Sequence, residues 1–233
     1  MKKIFLILLL FAGIKAFPQH YEADVSEDTS ATTLTKNNLN IFLTLGSFIT
    51  NGDEHIKDYQ PLSFNLGLQY LYKINKNIGI YSNLSFSSNR FSVIQEPGIS
   101  FPTSDLHDKN IFSFTGIQAA AGFTFMLTHK GCDDDVRTSI TLYGFGEYYY
   151  YRELEVSGKL NNSNAPFAST YNTVYHKLSY VNPINYGVGG EIKIYYIYLG
   201  ARYFLSDFID NSFKKDHNWP DLPILKIYLK YKF

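Results

Sequence analysis

Five charged residues stand at alternate positions in strand-like stretches, Glu147, Glu191, Arg202, Lys226 and Lys230, and they are the first candidates for chemistry. Carboxylates and cations on one face of a sheet could relay protons or carry a catalytic acid. They could equally form ion pairs that fill a narrow interior, because an unpaired buried charge is costly. Other candidates are weaker. Asp133, Asp134 and Asp135 cluster hard oxygen ligands but lack the alternating spacing and later bidentate Glu of a calcium loop, so they read as a solvated turn. Cys132 beside them has no Cys or His partner at ligand spacing and no second thiol with which to form an internal disulfide. His20, His55, His107, His129, His176 and His217 fall in tail, loop or turn positions, without a His-x-x-x-His or Gly-x-Ser-x-Gly setting. No strand carries Ser and His at alternate same-face positions, so a Ser-His-acid mechanism has no visible frame. The expectation is a protein that is not an enzyme and holds no metal or cofactor. Charge excludes more: 21 basic and 21 acidic residues cancel, which leaves no nucleic-acid footprint.

Strands must position those charges. Aromatic residues make up 17% of the 233-residue chain, with 20 Tyr and 19 Phe, a composition suited to pleated surfaces and interfaces. Eight stretches alternate with period two: about 39–48, 62–73, 78–86, 116–127, 136–147, 184–193, 195–205 and 224–233. Connections after the first, third, fifth and seventh are long, and those after the second, fourth and sixth are short. Short turns at one rim and long loops at the other, with an even strand number, predict an all-β, eight-stranded antiparallel up-and-down transmembrane β-barrel. A soluble eight-stranded barrel, with its apolar rows inside, is the competing arrangement.

The two ends of the chain point the same way. Residues 225–233 put Leu225, Ile227, Leu229, Tyr231 and Phe233 on one face and Lys226, Tyr228, Lys230 and Lys232 on the other, the pattern of a closing strand that meets lipid. Leu229, Tyr231 and Phe233 are therefore candidate elements of a C-terminal insertion signal. Met1-Lys2-Lys3, an apolar run from Ile4 to Ala12 and a small residue at Ala16 describe a signal peptide over 1–16, with a cut as late as 19. Residues 17–37 read as a flexible periplasmic tail, and 38–233 as the barrel. The expected location is the cell outer membrane, after export and cleavage of the signal peptide.

With apolar rows to lipid, the inward rows hold Asn65, Gln69, Lys73, Gln118, Glu147, Asn185, Glu191, Lys193, Arg202, Lys226, Lys230 and Lys232. An eight-stranded bore is only wide enough for side chains, so Glu147 and Glu191 are expected to pair with Arg202, Lys226 and Lys230 and close the lumen. Gly67, Gly116, Gly122, Gly187, Gly189 and Gly200 make room for rings such as Tyr143, Tyr196 and Tyr198. The loops carry the remaining candidates. Asn161, Asn162, Asn164, Pro166, Phe167, Tyr171 and Tyr175 lie in the connection 153–180, and Phe213 and Trp219 in the last one, as binding anchors or as interface-belt residues.

The signal from Met1 to Ala16, the glycines of Gly187-Val188-Gly189-Gly190, the Tyr-rich stretch from Tyr195 to Tyr203 and the terminal Tyr231-Lys232-Phe233 resemble the small outer-membrane β-barrel proteins of Bacteroidota, the PorT-like family. The resemblance spans nearly the whole mature chain as a pattern of strands and termini. It implies an integral outer-membrane protein whose partners are membrane lipid, the barrel assembly machinery during insertion, and an envelope or secretion-complex protein. Three functional readings stand: a structural or interaction role in the cell envelope, linked to secretion in some members; a small pore or uptake channel; and, least supported, a lipid-modifying enzyme.

Overall fold

The computed structural model describes residues 38–49, 62–93, 109–130, 133–160, 169–217 and 221–233. The signal segment, the tail, Cys132, residues 161–168 and Trp219 lie outside them, as do the side chains of Asp133, Asp134 and Asp135. The strands are β1 (Asn38–Ile49), β2 (Leu62–Lys73), β3 (Ile78–Val93), β4 (Lys109–Lys130), β5 (Asp133–Leu160), β6 (Ser169–His176), β7 (Ile184–Ile194), β8 (Ile197–Phe204) and β9 (Leu225–Lys232). One short helix, α1 (Asn211–His217), precedes β9.

All nine strands belong to one sheet, and all pairings are antiparallel. The ring runs β1-β2-β3-β4-β5-β7-β8-β9 and closes where β9 pairs with β1, from Phe42↔Lys232 to Ile49↔Leu225. It therefore contains eight strands. Closure removes the free edges that an open sheet would leave, and within the ring it satisfies the strand ladders without water. β6 is additional: it pairs with the far end of β5, Glu153↔His176 through Leu160↔Ser169, as a hairpin beyond the ring.

The alternation of the sequence becomes an inversion of the usual inside and outside. Outward rows carry Leu45, Leu68, Leu84, Phe123, Leu142 and Leu229, all exposed. Inward rows bury Asn65, Gln118, Glu147, Glu191, Arg202, Lys226 and Lys230. Among the described residues of β1, β2, β7, β8 and β9, no outward position carries a charge.

Three expectations about the strands need correction. The connection 153–180 is in part strand, because β5 runs to Leu160 and β6 returns beside it. A register shift between Thr115 and Gly116 leaves Tyr150 without a partner on β4, since Thr115 faces Tyr151 and Gly116 faces Tyr149. This bulge reverses the phase of β5: inward residues are odd-numbered up to Tyr149, whereas Leu154 and Val156 are buried above it, which breaks the period-two signal. β3 and β4 likewise extend each other, to Val93 and from Lys109, into the long connection that follows the 78–86 stretch in the sequence. Finally, Tyr195 and Tyr196 form the turn between β7 and β8. Tyr195 has φ 57°, the left-handed value such a tight hairpin requires, and Tyr196 is exposed at the rim instead of crossing the lumen.

Ring side chains and glycines interlock inside the bore. A β-carbon on Gly189 would fall within 2.6 Å of Tyr143 ring atoms, and one on Gly200 would meet the Tyr228 ring. Gly144 faces outward, where a β-carbon would have only the Gly187 carbonyl oxygen at 3.9 Å. Gly200→Ala should therefore lower the urea midpoint of the folded band by the equivalent of about 1–3 kcal/mol, the usual cost of overpacking. Gly144→Ala should leave that midpoint unchanged in the same assay.

Candidate functional site

The lumen has two storeys. In the lower and middle part, β7 and β9 bring Glu191 and Lys230 together: Lys230 Nζ donates to Glu191 Oε2 at 2.8 Å and Oε1 at 3.0 Å. Tyr228 donates to the same carboxylate at 2.8 Å, and Tyr81 lies 3.5 Å from it. The ammonium also sits 4.8 Å from the Phe42 ring centroid, 5.1 Å from that of Tyr81 and 5.3 Å from that of Tyr198. Aromatic faces on several sides compensate part of what the ammonium loses by leaving water.

Arg202, on β8, is buried in the middle of the bore. Its Nε donates to Tyr143 Oη at 3.1 Å, its Nη1 donates to Gln118 Oε1, and Nη1 stands 3.8 Å from Glu147 Oε1. The guanidinium lies 4.8 Å from the Tyr228 ring centroid. Glu147 accepts from Tyr149 Oη and, at 3.1 Å, from Asn89 Nδ2. Lys226 departs from its expected pairing: it donates to two amides, Asn65 Oδ1 at 3.0 Å and Asn89 Oδ1 at 3.3 Å, and no Lys226–carboxylate ion pair is among the described contacts. Asn65 Nδ2 passes the network on to Gln118 Oε1 at 3.0 Å. Of the five charges, the structure thus joins Glu191 to Lys230 and Glu147 to Arg202, and ties Lys226 to its neighbours through amides.

The upper storey is apolar, and sequence reasoning missed it. Phe48, Phe91, Phe112, Phe114, Phe145 and Phe204 converge from the ring, and Phe208 enters among them from the β8–β9 connection. Phe208 lies 4.9 Å from Phe204, 5.2 Å from Phe91 and 5.7 Å from Phe114, ring centre to ring centre. The chain after Phe208 folds over the mouth: Val181 bridges to Ile209, and Phe213 on α1 stacks on Tyr180 at 4.2 Å. Phe213 is therefore a packed residue and not an open loop-tip anchor. Tyr171 packs against the same core, whereas Tyr175 is exposed. A hydrophobic residue inside a polar connection gives a weak one-dimensional signal, and nothing in its spacing tells Phe208 from Phe213.

Lys214 clasps this cap to Asp221 at 2.5 Å and Asp207 at 3.3 Å. Burial disfavours its charge, but the bonds to Asp221 and Asp207 outweigh that and raise its pKa above the ordinary lysine value. Its contribution is full below that ordinary value and is lost as pH rises through the raised one. Asp210 accepts from the Ser212 side chain and backbone, which hold its pKa below the carboxylate range. That contribution is present above the usual carboxylate range and lost as pH falls through the lowered value.

On the outer face of the hairpin, His176 Nδ1 lies 2.5 Å from Glu153 Oε1, and Tyr151 donates to the same oxygen. Arg90 pairs with Glu155 at 3.6 Å beside them. Among the described residues no group of three or more His, Cys, Asp or Glu side chains is placed to hold a metal. Leu229, Tyr231 and Phe233 are exposed on the outer wall, with the Tyr231 and Phe233 rings 4.9 Å apart.

A closed eight-stranded antiparallel ring, apolar outside and charged inside, is the fold of the outer-membrane β-barrels. No protein-family model matches the chain, and no curated protein does. Two crystal structures of Ail, the attachment invasion locus protein of Yersinia pestis, are similar to it. One matches with 16% identity and a TM-score of 0.36, covering 84% of this chain and 97% of that one. The other, in complex with the heparin analogue sucrose octasulfate, matches with 17% identity and a TM-score of 0.32 over the same shares. At those values the likeness adds nothing to the assignment, which stands on the register and inverted faces of the chain itself.

Removing one partner of the Glu191–Lys230 pair strands a buried charge. Glu191→Ala should destabilise the barrel by about 3–5 kcal/mol in urea titrations of the detergent-folded protein. Glu191→Leu combined with Lys230→Met should recover most of that loss, giving a large coupling energy in the double-mutant cycle.

Proposed function

We propose that this protein is an integral outer-membrane β-barrel with a structural or interaction role in the cell envelope. The observation that carries this reading is the filled lumen: ion pairs and amides occupy its middle, and Phe208 with its aromatic neighbours occupies its outer end. A bore packed in that way offers no route for solute, so function falls to the outward connections and the β5–β6 hairpin. The apolar outer wall supports contact with membrane lipid. Residues 1–16 act as the signal peptide, with a cut as late as 19, and 17–37 form a periplasmic tail. Leu229, Tyr231 and Phe233 present the closing strand to the barrel assembly machinery. The PorT-like resemblance makes an envelope or secretion-complex protein the partner class, and that finer assignment rests on the strand pattern and chain termini alone.

Fractionation and gel migration test this reading. The protein should be found in the outer-membrane fraction and run faster unboiled than boiled, and deletion of Phe233 should reduce the fast form. In planar bilayers it should give no steady conductance. Phe208→Ala should destabilise the barrel by about 3–5 kcal/mol and still conduct no ions, because the polar storey remains closed beneath it. Discrete open channels from the unaltered protein would replace this reading with that of a small pore.

A further inference from the structure

Among the described side chains, the fully buried lumen contains three cations, Arg202, Lys226 and Lys230, against two carboxylates, Glu147 and Glu191. Lys230 is matched to Glu191, and Arg202 shares Glu147 at 3.8 Å, so the surplus positive charge falls on Lys226. The register aggravates this. Arg202 and Lys226 are direct partners across β8 and β9, two like charges facing the same interior. Like charges directly opposite in a sheet repel, and a narrow bore offers little water to screen them.

The surroundings of Lys226 Nζ are built to receive something negative. The ammonium has three donors and spends two, on Asn65 Oδ1 and Asn89 Oδ1. Those two asparagines occupy one diagonal of a square formed by Ser63 and Asn65 on β2 and by Asn89 and Ser87 on β3, paired Ser63↔Asn89 and Asn65↔Ser87. The other diagonal holds the hydroxyls of Ser63 and Ser87, which are buried and have no hydrogen-bond partner among the described residues. Residues directly opposite in such a square stand about 5 Å apart and diagonal ones about 7–8 Å, so a small ligand between Ser63 and Ser87 reaches both hydroxyls. Arg202 Nη2 is a further buried donor with no hydrogen-bond partner among the described residues, and its guanidinium shares Gln118 Oε1 with Asn65 Nδ2. Glu147 faces the Arg202 side of this site, with Oε1 3.8 Å from Nη1, and is separated from Lys226. Asn89 stands between, with Nδ2 turned to Glu147 and Oδ1 to Lys226.

We propose that the lumen binds one small monovalent anion of the chloride class at Lys226 Nζ, Arg202 Nη2 and the hydroxyls of Ser63 and Ser87. The anion brings the buried charge to balance and supplies the acceptor that those donors share. A larger oxyanion does not suit a bore filled by side chains.

The test uses the full mature chain, folded in detergent at constant ionic strength, with sodium gluconate replaced stepwise by sodium chloride or bromide. Urea midpoints should rise and saturate with halide, the folding equilibrium constant increasing about tenfold when halide reaches ten times its dissociation constant. Ser63→Ala combined with Ser87→Ala removes only two hydroxyls and should fold while losing most of that dependence. Lys226→Met should lose it entirely. Crystals grown in bromide should show an anomalous peak beside Lys226 Nζ. Equal midpoints in gluconate and chloride would overturn the proposal. So would a serine double variant that keeps the full halide response, or bromide bound only at the surface.

Discussion

The constraint on which the rest depends is the width of the bore. Eight strands closed in a ring leave an interior that side chains fill, with no room for a bulk aqueous channel. Lipid outside demands that the outward row of every strand be apolar, so the polar residues of an alternating sequence have nowhere to go but inward. The same geometry that makes the wall acceptable to a membrane thus forces Glu147, Glu191, Arg202, Lys226 and Lys230 out of water. Everything inside answers that cost. Glu191 takes two bonds from Lys230 and one from Tyr228, Tyr143 links Tyr228 to Arg202, and amides of Asn65, Asn89 and Gln118 join Lys226 to Arg202 and Glu147. Buried ion pairs of this kind add little net stability over a well-packed apolar interior, but they make wrong registers expensive. A slip of one residue would send these charges into lipid.

The two storeys solve the filling problem in different ways because they face different neighbours. At mid-membrane height the wall must carry polar residues inward, and rings sit over glycines so that long side chains can cross: Tyr143 over Gly189, Tyr228 over Gly200. Towards the loop end the β5 bulge at Tyr150 reverses the phase, so that Leu154 and Val156 turn inward and Glu153 and Glu155 turn out. From there the interior is apolar and needs an apolar occupant. The β8–β9 connection supplies it with Phe208, and the Lys214 clasp to Asp207 and Asp221 holds that connection down.

What could be read from the sequence is what a strict period of two encodes. The direction of each row and the inward position of the five charges follow from alternation, since a strand of known face leaves no freedom in where its residues point, and the ring order follows from the even strand number and the alternating connection lengths. Pairing is another matter. Lys226 and Lys230 are four residues apart on the same face, and nothing in one dimension says that the second meets Glu191 while the first reaches Asn65 and Asn89 on distant strands. Asn89 and Ser87 were legible in principle, as a continuation of Ser85 in the same row, but a run of Ser and Asn looks the same in a loop. The β5 bulge and the Phe208 plug were not legible. One is a single residue with no special type, and the other depends on a connection folding back into a mouth whose shape only the closed ring defines.

The cap also bears on where this protein can meet a partner. Phe213 stacks on Tyr180 and Phe208 is enclosed by rings, so the aromatic residues of the last described connection are engaged in closing the barrel and contribute little surface for binding. Tyr175 on β6 differs, because it is exposed on the hairpin that rises beyond the ring, next to the Glu153–His176 and Arg90–Glu155 pairs. That hairpin is held to β5 in unbroken register from Glu153↔His176 to Leu160↔Ser169. A strand pair extended in this way presents its side chains at fixed spacing, which a flexible loop does not, and so loses less entropy on engaging another surface. Rigidity below follows from filling the lumen, and rigidity above follows from anchoring β6 to a strand whose other end lies in that lumen.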